Sequence, residues 1–197
     1  MEIIGRIPHV LAELQNDTKV KSTYTFTIDT GAPDYLYINS TLAEDVTFPT
    51  SFYESQTSNF EGEFKLRTSR LDSFTIANTS FMNIATHDLP HLEDENGVGL
   101  IGSGLLRNFD VIFDYNNDFV AFKKNQQFSS VTYIDRSGLQ LEPHIKGAVV
   151  KYVAKNTHAA KIGISSGDIV TTINDEKLNN QNFDQLRGLL SSNITKM

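Results

Sequence analysis

The stretch YTFTIDTGAPDYLYIN, residues 24–39, runs from a β-type segment into an aspartate and then turns through Thr-Gly. An ionised carboxylate is costly to bury at the end of an apolar strand, so either the turn exposes Asp29 or something holds it there. Read locally, Gly31 supplies the turn and Asp29 bonds backbone amides. A lone Asp-Thr-Gly is too short a motif to carry more than that. Three neighbours add to it: Phe26 and Ile28 lead in on the strand, the small Ala32 follows, and later in the chain an apolar pair is closed by glycine in Gly99-Leu100-Ile101-Gly102.

Working outward, IIGRIPHVLAEL (3–14) and KSTYTFTID (21–29) are β-rich segments separated by the polar cluster QNDTK, which predicts a hairpin. Residues 34–46 alternate tyrosines with Leu36 and Ile38, and Asn39-Ser40 then offers a cap for a short helical turn over 41–45. Residues 51–89 read as a series of short strands with polar turns. A Gly-punctuated apolar segment follows, then a short helix near Leu105-Leu106-Arg107 and a hairpin whose strands DVIFDY and FVAFKK flank the turn NND. The apolar pattern thins over 125–138. Beyond it come the strand GAVVKYVA, the short helix HAAKIG, the strand DIVTTIN, the turn DEK and the helix NFDQLRGLL. The reading divides the chain into a β domain over 1–124, a linker over 125–136 and a small α/β domain over 137–197, the last being about 60 residues and near the lower size for independent folding. No internal repeat or low-complexity tract interrupts it.

Composition narrows the chemistry. The 197 residues are 39% apolar, with no cysteine and no tryptophan, which excludes disulfides, thiolate nucleophiles and Cys-ligated metals. A formal charge of -7 repels nucleic acid, and the best basic candidate, Lys123-Lys124, reads as a solvated pair. No stretch approaches the roughly 20 apolar residues of a membrane span. The N-terminus MEIIGRIPHV lacks the pattern of a signal peptide. His87, Asp88, His91 and Glu93 in THDLPHLEDE invite a metal reading, but Pro90 argues against a helix that would align the histidines, and a solvated loop is expected. Serine catalysis lacks its Gly-x-Ser-x-Gly elbow, since Ser103 in GLIGSG has the wrong spacing. No phosphate loop or dinucleotide fingerprint occurs.

FTIDTGA and GLIGSGLLRNFDVIFDY together resemble the active-site loop and the supporting apolar-apolar-Gly segment of the retropepsin-like aspartic proteases, over residues 1 to 124. The resemblance implies a mainly β fold, an acid-protease barrel, with Asp29 as the catalytic carboxylate. Thr30 would steady the loop across a subunit interface, Gly31 would permit the turn, and Ile101-Gly102 would support it from below. The chemistry needs two carboxylates sharing one proton, one acting as a base on water while the other donates to the scissile carbonyl. The chain carries one Asp-Thr-Gly, so activity implies a homodimer with Asp29 from each copy on a twofold axis. Ala32 lacks the hydroxyl that could favour the charged carboxylate, which implies a less acidic optimum than with Ser or Thr there. A flap closing over a polypeptide substrate is expected at Phe60, Glu61, Gly62 and Glu63, with one glycine where the family uses several. No cofactor or metal is called for.

AAKIGISSGDIVTTINDEKL resembles the signature of bacterial PDZ domains, over about 137 to 191. The resemblance implies a peptide-binding groove at Gly138, Leu139, Gln140 and Leu141, the first two presenting backbone amides to a peptide C-terminus and NFDQLRGLL forming the far wall. Gln140 stands where many such loops have a second glycine, and SSNITKM ends before the last strand that fold normally supplies. The expectation is an aspartic endopeptidase with a polypeptide-binding PDZ-like domain. The rivals are a catalytically inactive peptide-binding or scaffolding protein and a latent protease needing a partner or trimming. The compartment stays open, the resemblance to envelope-located proteases pointing to an extracytoplasmic one.

Overall fold

A computed structural model of the chain describes residues 2–4, 7–16, 21–50, 52–59, 62–89, 97–130, 132, 135 and 137–191. In chain order the elements are β1 (Glu2–Ile4), β2 (Ile7–Gln15), β3 (Ser22–Asp29), β4 (Leu36–Ile38), α1 (Ser40–Asp45), β5 (Tyr53–Asn59), β6 (Gly62–Ile76) and β7 (Thr79–Asp88). They continue with β8 (Gly99–Gly102), α2 (Ser103–Leu106), β9 (Phe109–Asp114), β10 (Phe119–Lys124), β11 (Leu139–His144), β12 (Gly147–Val153) and α3 (His158–Lys161). Last come β13 (Ile169–Val170), β14 (Thr172–Ile173), β15 (Glu176–Lys177) and α4 (Phe183–Ser191). The chain is mainly β. It divides into two compact units, Met1–Phe52 with Thr68–Thr132, and Tyr53–Arg67 with Tyr133–Met197.

The strand order β2-β3-β8-β4-β7-β6, with β6 pairing back onto β2, closes a barrel, β1 is added at β2, and β5 pairs with β6. The hairpin expected from residues 3–29 is present as β2–β3, joined antiparallel from His9↔Thr27 to Leu14↔Ser22. β3 enters the barrel through three consecutive buried residues, Phe26, Thr27 and Ile28. Phe26 meets Phe74 edge to face, with centroids 5.2 Å apart, at the centre of a core that includes Leu36, Ile38, Ile84 and Ile101. Each such side chain contributes about 1.5–3 kcal/mol by leaving water.

The region 51–89 corrects the expectation of short strands. β6 alone runs for 15 residues. Its polar residues Arg67, Ser69 and Arg70 punctuate the sequence, yet lie half-buried between buried Leu66, Thr68 and Leu71 within one strand whose buried face switches between Thr68 and Leu71. The short helix α1 forms as expected, with the Asn39 side chain accepting from the Leu42 N–H at 2.8 Å.

The β9–β10 hairpin packs through aromatic rings, Phe109 lying against Phe81, Phe122 and Phe128. Residues read as linker are tied to the barrel as far as Thr132. That residue is buried, its Oγ1 accepts from the Ala85 N–H at 2.8 Å, and its carbonyl accepts from Arg70 Nη2 at 2.9 Å.

In the second unit β11 pairs antiparallel with β12, which pairs with β13. Leu141, Val150, Leu178, Phe183 and Leu186 form its core. The segment DIVTTIN is two strands rather than one, dividing at Thr171, whose carbonyl accepts the Leu178 N–H at 2.9 Å. Among the described residues no helix is long and apolar enough to cross a membrane.

Candidate active site

β3 delivers Asp29 to the end of a parallel pairing in which Thr27, Ile28 and Asp29 face Leu100, Ile101 and Gly102 of β8. The strand cannot continue, because the backbone folds back on the side chain. The Gly31 N–H donates to Asp29 Oδ1 at 2.8 Å, and the Ala32 N–H donates to the Asp29 carbonyl at 3.3 Å. This is the turn that an aspartate forms with the amide two residues on. Among the described residues no donor reaches Asp29 Oδ2, and the side chain is half-buried. One oxygen is therefore fixed by the turn, and the other takes no hydrogen bond among the described residues.

The loop after Asp29 is braced from behind by the start of α2. The Ser103 N–H and Oγ both donate to the Ala32 carbonyl, at 2.7 and 2.9 Å, and the Gly104 N–H donates to the Asp34 carbonyl at 3.0 Å. The Gly102 N–H donates to the Tyr35 carbonyl at 3.1 Å. A Cβ on Gly102 would lie 2.3 Å from the Asp34 carbonyl oxygen, so glycine is required there by close approach of two backbones. Ile101 is fully buried beneath the turn, Ala32 is nearly so, and Thr30 and Gly31 are exposed.

The expected flap residues fare differently. Phe60 and Glu61 lie outside the described residues, as does the side chain of Glu63, and Gly62 begins β6 with a φ of 133° that suits glycine. Around the other expected site, Gly138 is buried with φ of 70°, and its carbonyl accepts from the Ala154 N–H at 2.7 Å. The Leu139 N–H, expected to face a peptide carboxylate, donates instead to Ser137 Oγ at 3.1 Å. Leu141 is buried in the core, while Leu139 and Gln140 are half-buried and pair with Val153 and Tyr152.

The residues missed in the sequence lie beside the Asp29 loop. Tyr37 O–H donates to Asp34 Oδ2 at 3.0 Å, and His87 Nε2 lies 3.2 Å from the same oxygen. The His87 and Tyr37 rings stack with centroids 4.9 Å apart. Burial, then the charge of Asp34 and, after it, that of Asp29 hold the Tyr37 hydroxyl protonated well above the ordinary tyrosine range. The solvated loop expected at 87–93 needs correction here, because His87 and Asp88 are buried at the end of β7, paired with Tyr37 and Ile38 of β4. Polar residues around Pro90 suggested a loop, yet these two side chains enter after an unbroken strand whose last residues are all buried. His91 and Glu93 lie outside the described residues. Among the described residues no cluster of three or more acids and histidines is arranged to hold a metal ion.

No family model matches the chain, and no curated protein matches it. Among solved structures it is similar to a retropepsin-like aspartic protease from Rickettsia conorii, at 27% identity, over 58% of this chain and 80% of that one, with a TM-score of 0.44.

Proposed function

We propose that the chain is an aspartic endopeptidase of retropepsin-like type, active as a homodimer in which Asp29 of two copies share one proton. The observation that supports this is the Asp29 carboxylate itself, with Oδ1 fixed by the Gly31 amide, Oδ2 open, and the turn braced by Gly102 to Gly104. Two carboxylates about 3 Å apart cannot both ionise. The ionised one takes a proton from water as its oxygen bonds to the scissile carbonyl carbon, and the protonated one gives its proton to the carbonyl oxygen. Collapse of the resulting diol breaks the C–N bond, with a proton passing to the departing nitrogen. Water attacks directly, with no acyl-enzyme and no cofactor. The second unit is a PDZ-like module in this reading, offering the outer edge of β11 to an extended polypeptide; a peptide carboxylate there must compete with Ser137 Oγ for the Leu139 amide.

The test is incubation with an unfolded protein from about pH 3 to about pH 8, wild type beside Asp29→Asn, with cleavage read by mass spectrometry. Cleavage by the wild type that is lost in the variant is expected, together with a dimer by sedimentation. A rate flat across that range contradicts the shared proton. The latent alternative draws on one observation: the strands flanking the expected flap, Tyr53–Arg67, group with the C-terminal residues. A folded dimer that cleaves nothing favours it, and a strict monomer favours the scaffolding reading.

A further inference from the structure

Beside the Asp29 turn, four polar side chains are bonded to one another and take no part in the proposed hydrolysis. His87 is 8% exposed and engaged at both ring nitrogens, Nδ1 2.8 Å from Thr68 Oγ1 and Nε2 3.2 Å from Asp34 Oδ2. Tyr37 shares Oδ2, and the Asp34 N–H donates back to the Tyr37 oxygen at 3.3 Å. A carboxylate oxygen only accepts, so the Nε2 facing it carries hydrogen. Nδ1 can accept from the Thr68 hydroxyl or donate to it after that hydroxyl rotates. The pocket thus accommodates neutral and charged imidazole with the same heavy-atom positions, and the charged form makes the stronger bond to Asp34. The groups facing the ring are Asp34 from the loop, Tyr37 from β4 and Thr68 from β6. Asp88 follows on β7, and the charge of Asp29 reaches Tyr37.

Asp34 matters because of what its backbone does. Its carbonyl receives the Gly104 N–H, in the segment whose Ser103 holds Ala32, three residues from Asp29. We propose that His87 is a positioning residue of the Asp29 turn, clamping the 30–35 loop through Asp34 onto the Gly102 to Gly104 segment. The catalytic consequence rests on the Asp29 reading, whereas the clamp does not.

Amide hydrogen exchange of the full chain, followed by NMR at Gly31, Ser103 and Gly104 and corrected for intrinsic rates, reads the clamp without hydrolysis. His87→Phe keeps the stack on Tyr37 and removes both polar contacts. His87→Gln keeps a neutral donor, and Asp34→Asn, at a half-exposed side chain, removes the charge. Near pH 6, His87→Phe and Asp34→Asn are expected to speed exchange at Gly104 about tenfold, leaving the β11–β12 amides unchanged. His87→Gln, which keeps a neutral donor toward Asp34, should retain part of the protection that His87→Phe loses. In cleavage assays the same variants should lower kcat more than they raise KM. Unchanged protection in Asp34→Asn or in His87→Phe overturns the proposal. A clamp seen in a chain that cleaves nothing counts against the active-enzyme reading and leaves this one standing; cleavage with protection unchanged in the variants does the reverse.

Discussion

Among the turns in which an aspartate accepts the backbone amide two residues on, those at Asp29 and Asp135 treat the carboxylate in opposite ways. At Asp29, one oxygen takes the Gly31 N–H and no described donor reaches the other. At Asp135, Oδ1 takes both the Ser137 N–H at 2.8 Å and the Ser137 hydroxyl at 2.6 Å, while Oδ2 is buried with no hydrogen-bond partner among the described residues. The local turn chemistry is nearly the same. What differs is the setting: Asp29 ends a barrel strand and is braced from behind by β8 and α2, whereas both described donors to Asp135 come from Ser137. The Asp29 turn thus differs in having a second backbone segment, Gly102 to Gly104, behind it.

The glycines beside the two turns probe that difference most severely. A methyl on Gly102 would meet the Asp34 and Ala32 carbonyl oxygens at 2.3 and 2.8 Å, both backbone atoms that cannot swing aside. Gly102→Ala is expected to cost about 3 kcal/mol, the upper range for overpacking. Gly138→Ala meets the Thr157 side chain at 2.4 Å and puts a side chain at φ of 70°, and is expected to cost about 2 kcal/mol. Urea unfolding measures both. If Gly138→Ala proves the more damaging, the brace behind Asp29 is not the tighter of the two, and the comparison fails.

How much of this was legible follows from distance along the chain. Asp29, Gly31 and the Ile101-Gly102 support could be read because each lies in a short motif, and the motifs come in a fixed order. The helix cap at Asn39 and the β9–β10 hairpin were legible for the same local reason. His87 was not, since its partners Asp34, Tyr37 and Thr68 come from three other segments, and Pro90 nearby read as a loop signal. The length of β6 was hidden by polar residues that look like turn formers in sequence and prove to lie inside one continuous strand. The occupied Leu139 amide was equally invisible, because it depends on which way one serine hydroxyl points.

Alkaline pH sharpens the Asp29 side of the comparison by a smaller amount. The folded chain holds the proton on Tyr37 above the ordinary tyrosine value of about 10, while the unfolded chain releases it there. The unfolded state then binds fewer protons, so the stabilisation is fully present below about pH 10 and is lost as pH rises further. The slope is at most about 1.4 kcal/mol per pH unit from this residue. Unfolding free energies at pH 9, 10 and 11 should show it, and Tyr37→Phe should reduce it. A slope unchanged by Tyr37→Phe would mean that the phenol is not buried against Asp34 as described.

The smallest expected effect on stability is also the one that separates the two aspartates. In Asp29→Asn the retained carbonyl oxygen still accepts the Gly31 N–H, and the new amide nitrogen takes the place of an oxygen that no described donor reaches. Stability should stay within about 0.5 kcal/mol while cleavage is lost. In Asp135→Asn the retained oxygen keeps both Ser137 donors but loses the strength that a charged acceptor gives them. Against that loss stands relief of a buried charged oxygen with no described partner, so the net change should lie within about 1 kcal/mol, with cleavage unaffected. The pair thus sets two near-silent substitutions, judged by unfolding, against opposite outcomes in the cleavage assay. If Asp135→Asn abolishes cleavage as well, the second carboxylate serves the chemistry, and the contrast between a presented and an enclosed aspartate has to be redrawn.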